Sequence, residues 1–261
     1  MQITFDLLAH EAVDLPVVAV EVVMAENVAE IPMHQHPSGQ IILSLQGAVS
    51  CEVQDALWMV PPNCAVWIPG SVLHRCKATL NARVCFLMVK PELSDRLPPQ
   101  CTTLQITPLL RELMVQLTRM QEPAAQPHRL SMVEVLMGEL GRMRPTSFQL
   151  PLPDNPKLRL IVDTLMADPS DRSTLADWSA RLATSERTLS RLIVAETGLS
   201  FGRWRQQMHL LIALRLLASG VTVQATAEQL GYASVTAFIT MFKSSLGTTP
   251  SRYFAAQGRQ D

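Results

Sequence analysis

Four prolines fall within the twelve residues from Pro145 to Pro156 of this 261-residue chain. Proline fixes φ and lacks an N–H, so no continuous helix crosses that stretch, and residues 145–155 read as a semi-extended linker. The chain must therefore fold as two bodies. Its length suits two ordinary domains, and a 48% hydrophobic composition supplies each with material for a core. The two sides also differ in charge. Residues 1–153 hold 10 Lys/Arg against 14 Asp/Glu, a net of −4, and residues 154–261 hold 12 against 9, a net of +3. That asymmetry indicates a division of labour.

Before the prolines, short apolar runs (Val17–Val23, Ile41–Leu45, Ala65–Ile68, Val84–Val89) recur between Pro, Gly, Asn and Ser punctuation. The spacing predicts an all-β barrel or sandwich over residues 1–104. From about residue 105 the period changes to that of a helix. Ile106, Leu109, Leu110, Leu113, Met114, Leu117 and Met120 form one stripe, and Met132, Val135, Leu136 and Leu140 form another. These two helices, within 105–144, cap the barrel and are expected to pair two chains into a homodimer through Leu109, Leu113 and Leu117.

Nothing in the chain approaches the roughly 18 apolar residues of a membrane span, and no membrane association is expected. The first nineteen residues carry Asp6, Glu11 and Asp14 and no base, the wrong charge for a signal peptide. Five cysteines (51, 64, 76, 85 and 101) include no CxxC pair and read as reduced thiols of a cytoplasmic protein.

After residue 155 the pattern is helical throughout. Asn155-Pro156 is a cap followed by proline at the first helical position, and Thr174-Leu-Ala-Asp177 approximates a capping box. Gly198, Gly220, Gly231 and Gly247 stand where left-handed helix stops belong. A weak repeat lies inside. Leu175…Leu182, a turn and Ser185…Gly198 match Val223…Leu230, a turn and Ser234…Gly247, with offsets of 48 and then 49. Each copy has helix-turn-helix proportions. Leu189, Leu192 and Ile193 correspond inwardly to Phe238, Met241 and Phe242. Outward lie Arg187, Ser190, Arg191 and Val194 in one copy, and Thr236, Ile239, Thr240 and Lys243 in the other. Such a face can reach base edges and phosphates. Phe201–Ser219 between the copies reads as one helix of about 27 Å. Against a B-DNA turn of roughly 34 Å, that spacer suits two successive major grooves.

Residues 156–254 resemble the DNA-binding domain of AraC/XylS-type transcriptional regulators. The resemblance rests on Leu175-Ala-Asp-Trp-Ser-Ala-Arg-Leu-Ala-Thr-Ser-Glu-Arg-Thr-Leu-Ser-Arg-Leu, Glu196-Thr-Gly-Leu-Ser, Ala213-Leu-Arg-Leu-Leu, Ala227-Glu-Gln-Leu-Gly-Tyr and Gly247…Pro250…Tyr253. It implies double-stranded DNA as partner. Contacts are expected from Ser185, Glu186, Arg187, Thr188, Ser190 and Arg191, and from Ser234, Thr236, Ile239, Thr240 and Lys243. Thr240, His209 and Phe254 stand where the family often has arginine.

In the first half, His34-x-His36-x3-Gln40-x6-Gly47 is similar to the first cupin motif, with Gln40 where metal-binding cupins usually have Glu. Pro69-x4-His74 is similar to the second, with Ser71 in place of its glycine and Ala78 in place of its asparagine. His34, His36 and His74 are the candidate set for Zn²⁺, Ni²⁺ or Fe²⁺, but loss of the carboxylate removes a ligand. The expectation is therefore a metal-free pocket for a small-molecule effector at His34, His36, Gln40 and His74, with no resident cofactor and no catalytic residues. Trp58 and Trp67 are pocket walls or core.

The whole reads as a two-domain α+β chain: a cupin-like barrel (1–104), two dimerising helices (105–144), a linker (145–155) and a double helix-turn-helix domain (156–261). The expected function is a sequence-specific transcriptional regulator, activator or repressor, that responds to a small effector. The competing reading is a metal-dependent cupin enzyme with a helical appendage. The absence of an acid/base pair beside the histidines weighs against it.

Overall fold

The computed structural model describes residues 15–24, 30–53, 56–62, 64–120, 126–143, 145–146 and 149–255. They form two compact units, the second comprising residues from Gln149 onward together with Ala56 and Leu57.

The first unit is built of two sheets. One has the order β1 (Val17–Val23), β8 (Arg83–Val89), β3 (Gly39–Gln46), β6 (Cys64–Ile68), β9 (Thr102–Gln105) and β10 (Pro145–Thr146). The other runs β5 (Ala56–Val60), β4 (Val49–Val53), β7 (His74–Ala78) and β2 (Glu30–His34). The pairs β1/β8, β3/β8, β3/β6, β2/β7 and β4/β7 are antiparallel. A short helix α1 (Pro91–Ser94) is followed by α2 (Pro108–Arg119) and α3 (Gln126–Leu140). Thr107 caps α2 by accepting from the Leu110 N–H, with proline at the first helical turn.

The two helices cover the outer face of the first sheet. Leu110, Met114 and Leu117 of α2 and Val133, Leu136, Met137 and Leu140 of α3 share one core with Val17, Ile41, Leu43, Trp67 and Leu87. This corrects the expected helix faces. Leu117 is fully buried against its own barrel, Leu113 is partly buried, and Leu109 is 53% exposed. On α3, Val135 is 50% exposed, while Val133 and Met137 take its place in the core. The sheet's apolar outer face decides which side of each helix turns inward, and a period count cannot see that face. Trp67 belongs to this core, with its Nε1 donating to the Pro98 carbonyl at 2.7 Å. Trp58 is buried too.

The second unit begins inside the expected linker. Leu150 and Leu152 are buried between the prolines, and the Trp204 Nε1 donates to the Pro151 carbonyl at 3.0 Å. Residues 149–152 therefore pack as part of the helical body, and residues 145–146 pair with β9. The alternation of leucine with proline gives an extended strand one apolar side, and that side is used.

Seven helices follow among the described residues: α4 (Pro156–Ala167), α5 (Leu175–Arg181), α6 (Glu186–Thr197), α7 (Phe201–Ala218), α8 (Val223–Gln229), α9 (Val235–Leu246) and α10 (Pro250–Ala255). Asn155 caps α4 and Thr174/Asp177 form a full capping box on α5. In α7 the run Met208–Leu214 is buried on every side, so this helix is the axis on which both repeats pack. Gly231, with φ of +70°, sits so close to Ser170 that a Cβ would meet the Ser170 carbonyl oxygen at 2.8 Å. The Arg172 guanidinium donates to the Gly231 carbonyl through Nε at 3.1 Å and through Nη2 at 2.5 Å. Arg205 of α7 donates to the Ser173 carbonyl at 3.0 Å.

Candidate functional site

In the first unit the histidines converge. His34 ends β2 beyond a register shift that starts after Ile31, and lies opposite His74, the first residue of β7. Such an irregularity re-aims a side chain. His36 stands in the following loop, and Gln40 projects from β3. His36, Gln40 and His74 are buried and His34 is half-buried. Ring centroids lie 4.2 Å apart for His34/His74, 5.1 Å for His36/His74 and 5.6 Å for His34/His36.

Each ring is held by a main-chain carbonyl on its Nδ1: Pro32 for His34 at 2.8 Å, Ser38 for His36 at 2.7 Å and Val72 for His74 at 2.8 Å. The Oε1 atom of Gln40 faces the Nε2 of His36 at 3.2 Å and that of His74 at 2.9 Å. Burial pushes His74 down to about 4, against the Val72 bond that favours its charged form and with the His34 and His36 rings adding to the shift. Burial also lowers His34. His34 and His74 are therefore neutral bases near pH 7. The structure thus brings all four expected pocket residues together, and the candidate ligand nitrogens of the three histidines lie within 4.8 Å of one another.

Ser71, where the motif has glycine, takes φ of +62°, and its N–H donates to the His36 carbonyl at 2.7 Å. The departure in sequence keeps the left-handed backbone that anchors the His36 loop. The cysteines, expected as reduced thiols, are free; Cys76 shares the buried side of β7 with His74, and its Sγ lies 2.9 Å from that of Cys51 on β4. The His-x-Cys spacing at 74–76 was the available signal.

In the second unit, α5/α6 and α8/α9 form two helix-turn-helix pairs with matched caps. Ser185 accepts from the Thr188 N–H at 3.1 Å and Ser234 from the Ala237 N–H at 3.2 Å. Leu189 and Ile193 are buried in one repeat, and Phe238, Met241 and Phe242 in the other. Arg187, Arg191, Thr236, Thr240 and Lys243 are exposed, while Ser190 and Ile239 are intermediate. Arg187, Arg191 and Lys243 engage no hydrogen-bond or ion-pair partner among the described residues. The hydroxyls of Ser185 and Thr188 bond each other at 2.9 Å, and Thr240 bonds the Thr236 carbonyl at 2.9 Å. Their first commitment is to the helix, so the side chains with unspent donors are the three cations. Glu186, at the exposed start of α6, complements that helix's N-terminus.

Comparison with known proteins agrees with both halves. The family described as an AraC-like ligand binding domain matches residues 20–140, and a helix-turn-helix domain family matches residues 178–256. The chain is 48% identical over 225 residues to the HTH-type transcriptional regulator NimR of Escherichia coli (strain K12), covering 86% of this chain and 82% of that one. It is 31% identical over 107 residues to the HTH-type transcriptional regulator RipA of Corynebacterium glutamicum, covering 41% of this chain and 32% of that one. Among solved structures, unsaturated fatty acid bound ToxT from Vibrio cholerae strain SCE256 aligns over 91% of this chain and 93% of its own, at 15% identity with a TM-score of 0.37.

Proposed function

The chain belongs to the AraC/XylS-type helix-turn-helix transcriptional regulators, and from that premise we propose which residues read DNA and which receive the effector. The protein is a DNA-binding regulator with a ligand-binding domain, not an enzyme. Arg187 and Arg191 of α6 lead the base and phosphate contacts, supported by Ser190, and Thr236, Ile239, Thr240 and Lys243 of α9 form the second reading face. The observation that carries this is the matched pair of helices whose outward arginine and lysine side chains have no partner among the described residues.

The effector is received at His34, His36, Gln40 and His74, a convergent cluster of polar side chains, three of them buried, such as fixes a ligand in a pocket. A ligand there changes DNA affinity only if it binds two DNA-competence states unequally. We further propose that the protein acts in the cytoplasm as a homodimer. Leu109 on α2 and Leu130 and Val135 on α3 are the exposed apolar residues available for pairing, in place of the buried Leu117. No helix of the described residues is long and apolar enough to cross a membrane.

Fluorescence anisotropy with labelled duplex from upstream of the protein's own coding region tests the assignment. The expected result is saturable binding that a shuffled duplex competes for at least tenfold less well. Equal competition by both duplexes refutes sequence-specific reading.

A further inference from the structure

Cys51 and Cys76 are partners in register across the antiparallel β4/β7 pair, and both lie on its buried side. Residues opposite one another in such a pair have Cα atoms roughly 4.5–5.5 Å apart. A disulfide spans roughly 4.4–6.8 Å between Cα atoms, so the backbone here already has the separation that a cross-link needs. The side chains use it. Both cysteines are free thiols, and their Sγ atoms lie 2.9 Å apart. A sulfur–sulfur bond is about 2.05 Å long, so a further approach of roughly 0.9 Å closes it with no change of strand register. Cys85, also buried, shows the contrast: its Sγ is turned to the Met114 carbonyl at 3.8 Å. As small apolar groups the two cysteines would fill the core equally well at unmatched positions. Burial, reinforced by the Cys76 sulfur, holds the Cys51 thiol well above its ordinary pKa. The resting state near pH 7 is therefore the dithiol, and its reaction with an oxidant is slow. Access runs past β2, the edge strand beside β7, whose pairing is broken by a register shift between Ile31 and His34. Local opening of such an edge admits a small uncharged molecule.

We infer that Cys51 and Cys76 are a modification site, forming a reversible disulfide when the protein meets a two-electron oxidant of the peroxide class. With hydrogen peroxide, one thiol sulfur takes an oxygen, becoming a sulfenic acid and releasing the first water. The second thiol attacks that sulfur; the S–S bond forms as the S–O bond breaks, and the oxygen leaves as a second water. Together the two sulfurs lose two electrons, the peroxide gains them, and both thiol protons end in water. A reducing dithiol reverses the step by exchange through a mixed disulfide. The cross-link lies two residues along β7 from His74 and next to the Val53/His74 register pair, so it ties β4 to the strand that carries His74. The first unit thereby records an oxidant as a covalent bond, independently of the DNA and effector assignments above.

The test uses the full-length chain, reduced with dithiothreitol, desalted and exposed to hydrogen peroxide under native conditions. Remaining thiols are then alkylated, and chymotryptic peptides are read by mass spectrometry without reduction. The expected result is a linked pair of peptides carrying Cys51 and Cys76, two hydrogen masses lighter than their sum, which dithiothreitol returns to free thiols. The oxidised protein should also melt roughly 5–10 °C higher, because the bond restricts the unfolded chain. Cys51→Ala should lose both the linked peptides and the gain in Tm. Circular dichroism identifies a variant that fails to fold; Cys76→Val then takes its place, and the peptide map of the parent stands without either. Cys101, the one cysteine not buried, serves as the internal control that peroxide has acted. Oxidation of Cys101 with Cys51 and Cys76 still separately alkylated overturns the inference. So does a linkage that involves another cysteine, or one that forms only after guanidinium has unfolded the chain.

Discussion

The guanidinium of Arg129 donates from Nη2 to the main-chain carbonyl of Val17, 3.1 Å away and 112 residues earlier in the chain. Its Nη1 donates to the carbonyls of Leu117 at 3.0 Å and Met120 at 2.5 Å. The latter two belong to the end of α2, where carbonyls have no partner within the helix and a positive charge is favoured. One buried side chain, 5% exposed, thereby joins α3, the end of α2 and β1. Replacing it with methionine keeps much of the volume but strands three carbonyls. The expected loss is about 3 kcal/mol in urea unfolding, and Arg129→Lys should recover less than half, because an ammonium cannot span the fork. A methionine variant with an unchanged urea midpoint would show that water replaces the bonds.

DNA affinity should depend on Arg187 and Arg191 separately. Each alanine variant should lose about 1–3 kcal/mol if its arginine reads a base edge, with relaxed preference at one base position. A residue that touches only phosphate should instead weaken all duplexes alike and reduce the salt dependence by about one counterion. Anisotropy titrations at several salt concentrations separate the two. Unchanged affinity and specificity in the double variant Arg187→Ala/Arg191→Ala would remove α6 as the reading helix.

Acid should destabilise the helical unit through His209. Burial, with a smaller contribution from the Arg205 charge, holds its pKa down at about 4, against about 6.5 in an unfolded chain. Between those values the unfolded chain takes up a proton that the folded one refuses. The stability is thus fully present above about pH 6.5 and is lost progressively as pH falls toward 4, to a total of about 3 kcal/mol. Calorimetry from pH 7.5 to 5 should show a falling Tm, and His209→Gln should flatten the slope. A slope that persists in the variant would assign the effect to another group.

The two turns should respond oppositely to the exchange of glycine and alanine. Ala183 occupies φ of +48° in the first repeat, a conformation that disfavours any Cβ. Gly231 holds the equivalent position in the second. Ala183→Gly should therefore stabilise the protein by about 0.5–1 kcal/mol. Gly231→Ala adds a Cβ against the Ser170 backbone to the same strain and should be destabilising by about 3 kcal/mol. Thermal melts of the two variants check the pair. A stabilised Gly231→Ala protein would contradict the close approach.

The apolar runs recognisable in the sequence all became strands of one sheet: β1, β3, β6 and β8. That sheet is covered on its outer face by α2 and α3 and buried on its inner face, so its strands read as unbroken hydrophobic stretches. The partner sheet was fainter because β4 and β7 alternate, buried at Val49, Cys51 and Val53 and at His74, Cys76 and Ala78, with more exposed residues between. Helix ends were legible wherever a side chain caps its own backbone, as at Asn155 and Thr174. Which residues of α2 and α3 face inward was not, since the sheet settles that. The histidine spacing pointed to the cluster from the sequence, but the ring partners were hidden, because the carbonyls of Pro32, Ser38 and Val72 could have been supplied by any residue.

The clasp of Arg172 on Gly231, with Ser170 packed against that glycine, has a consequence for the operator. The loop ahead of the first repeat is tied to the turn of the second by the Arg172 side chain on the Gly231 carbonyl and by close backbone packing at Ser170, and α7 runs between them as a solid axle. Helices α6 and α9 therefore cannot slide apart to suit a longer site. If both read DNA as proposed, the spacing of the recognised base pairs becomes a fixed length written into the protein. Five extra base pairs between the two segments, about half a turn of duplex, would carry the second segment to the far side of the DNA, and only one repeat could engage at a time.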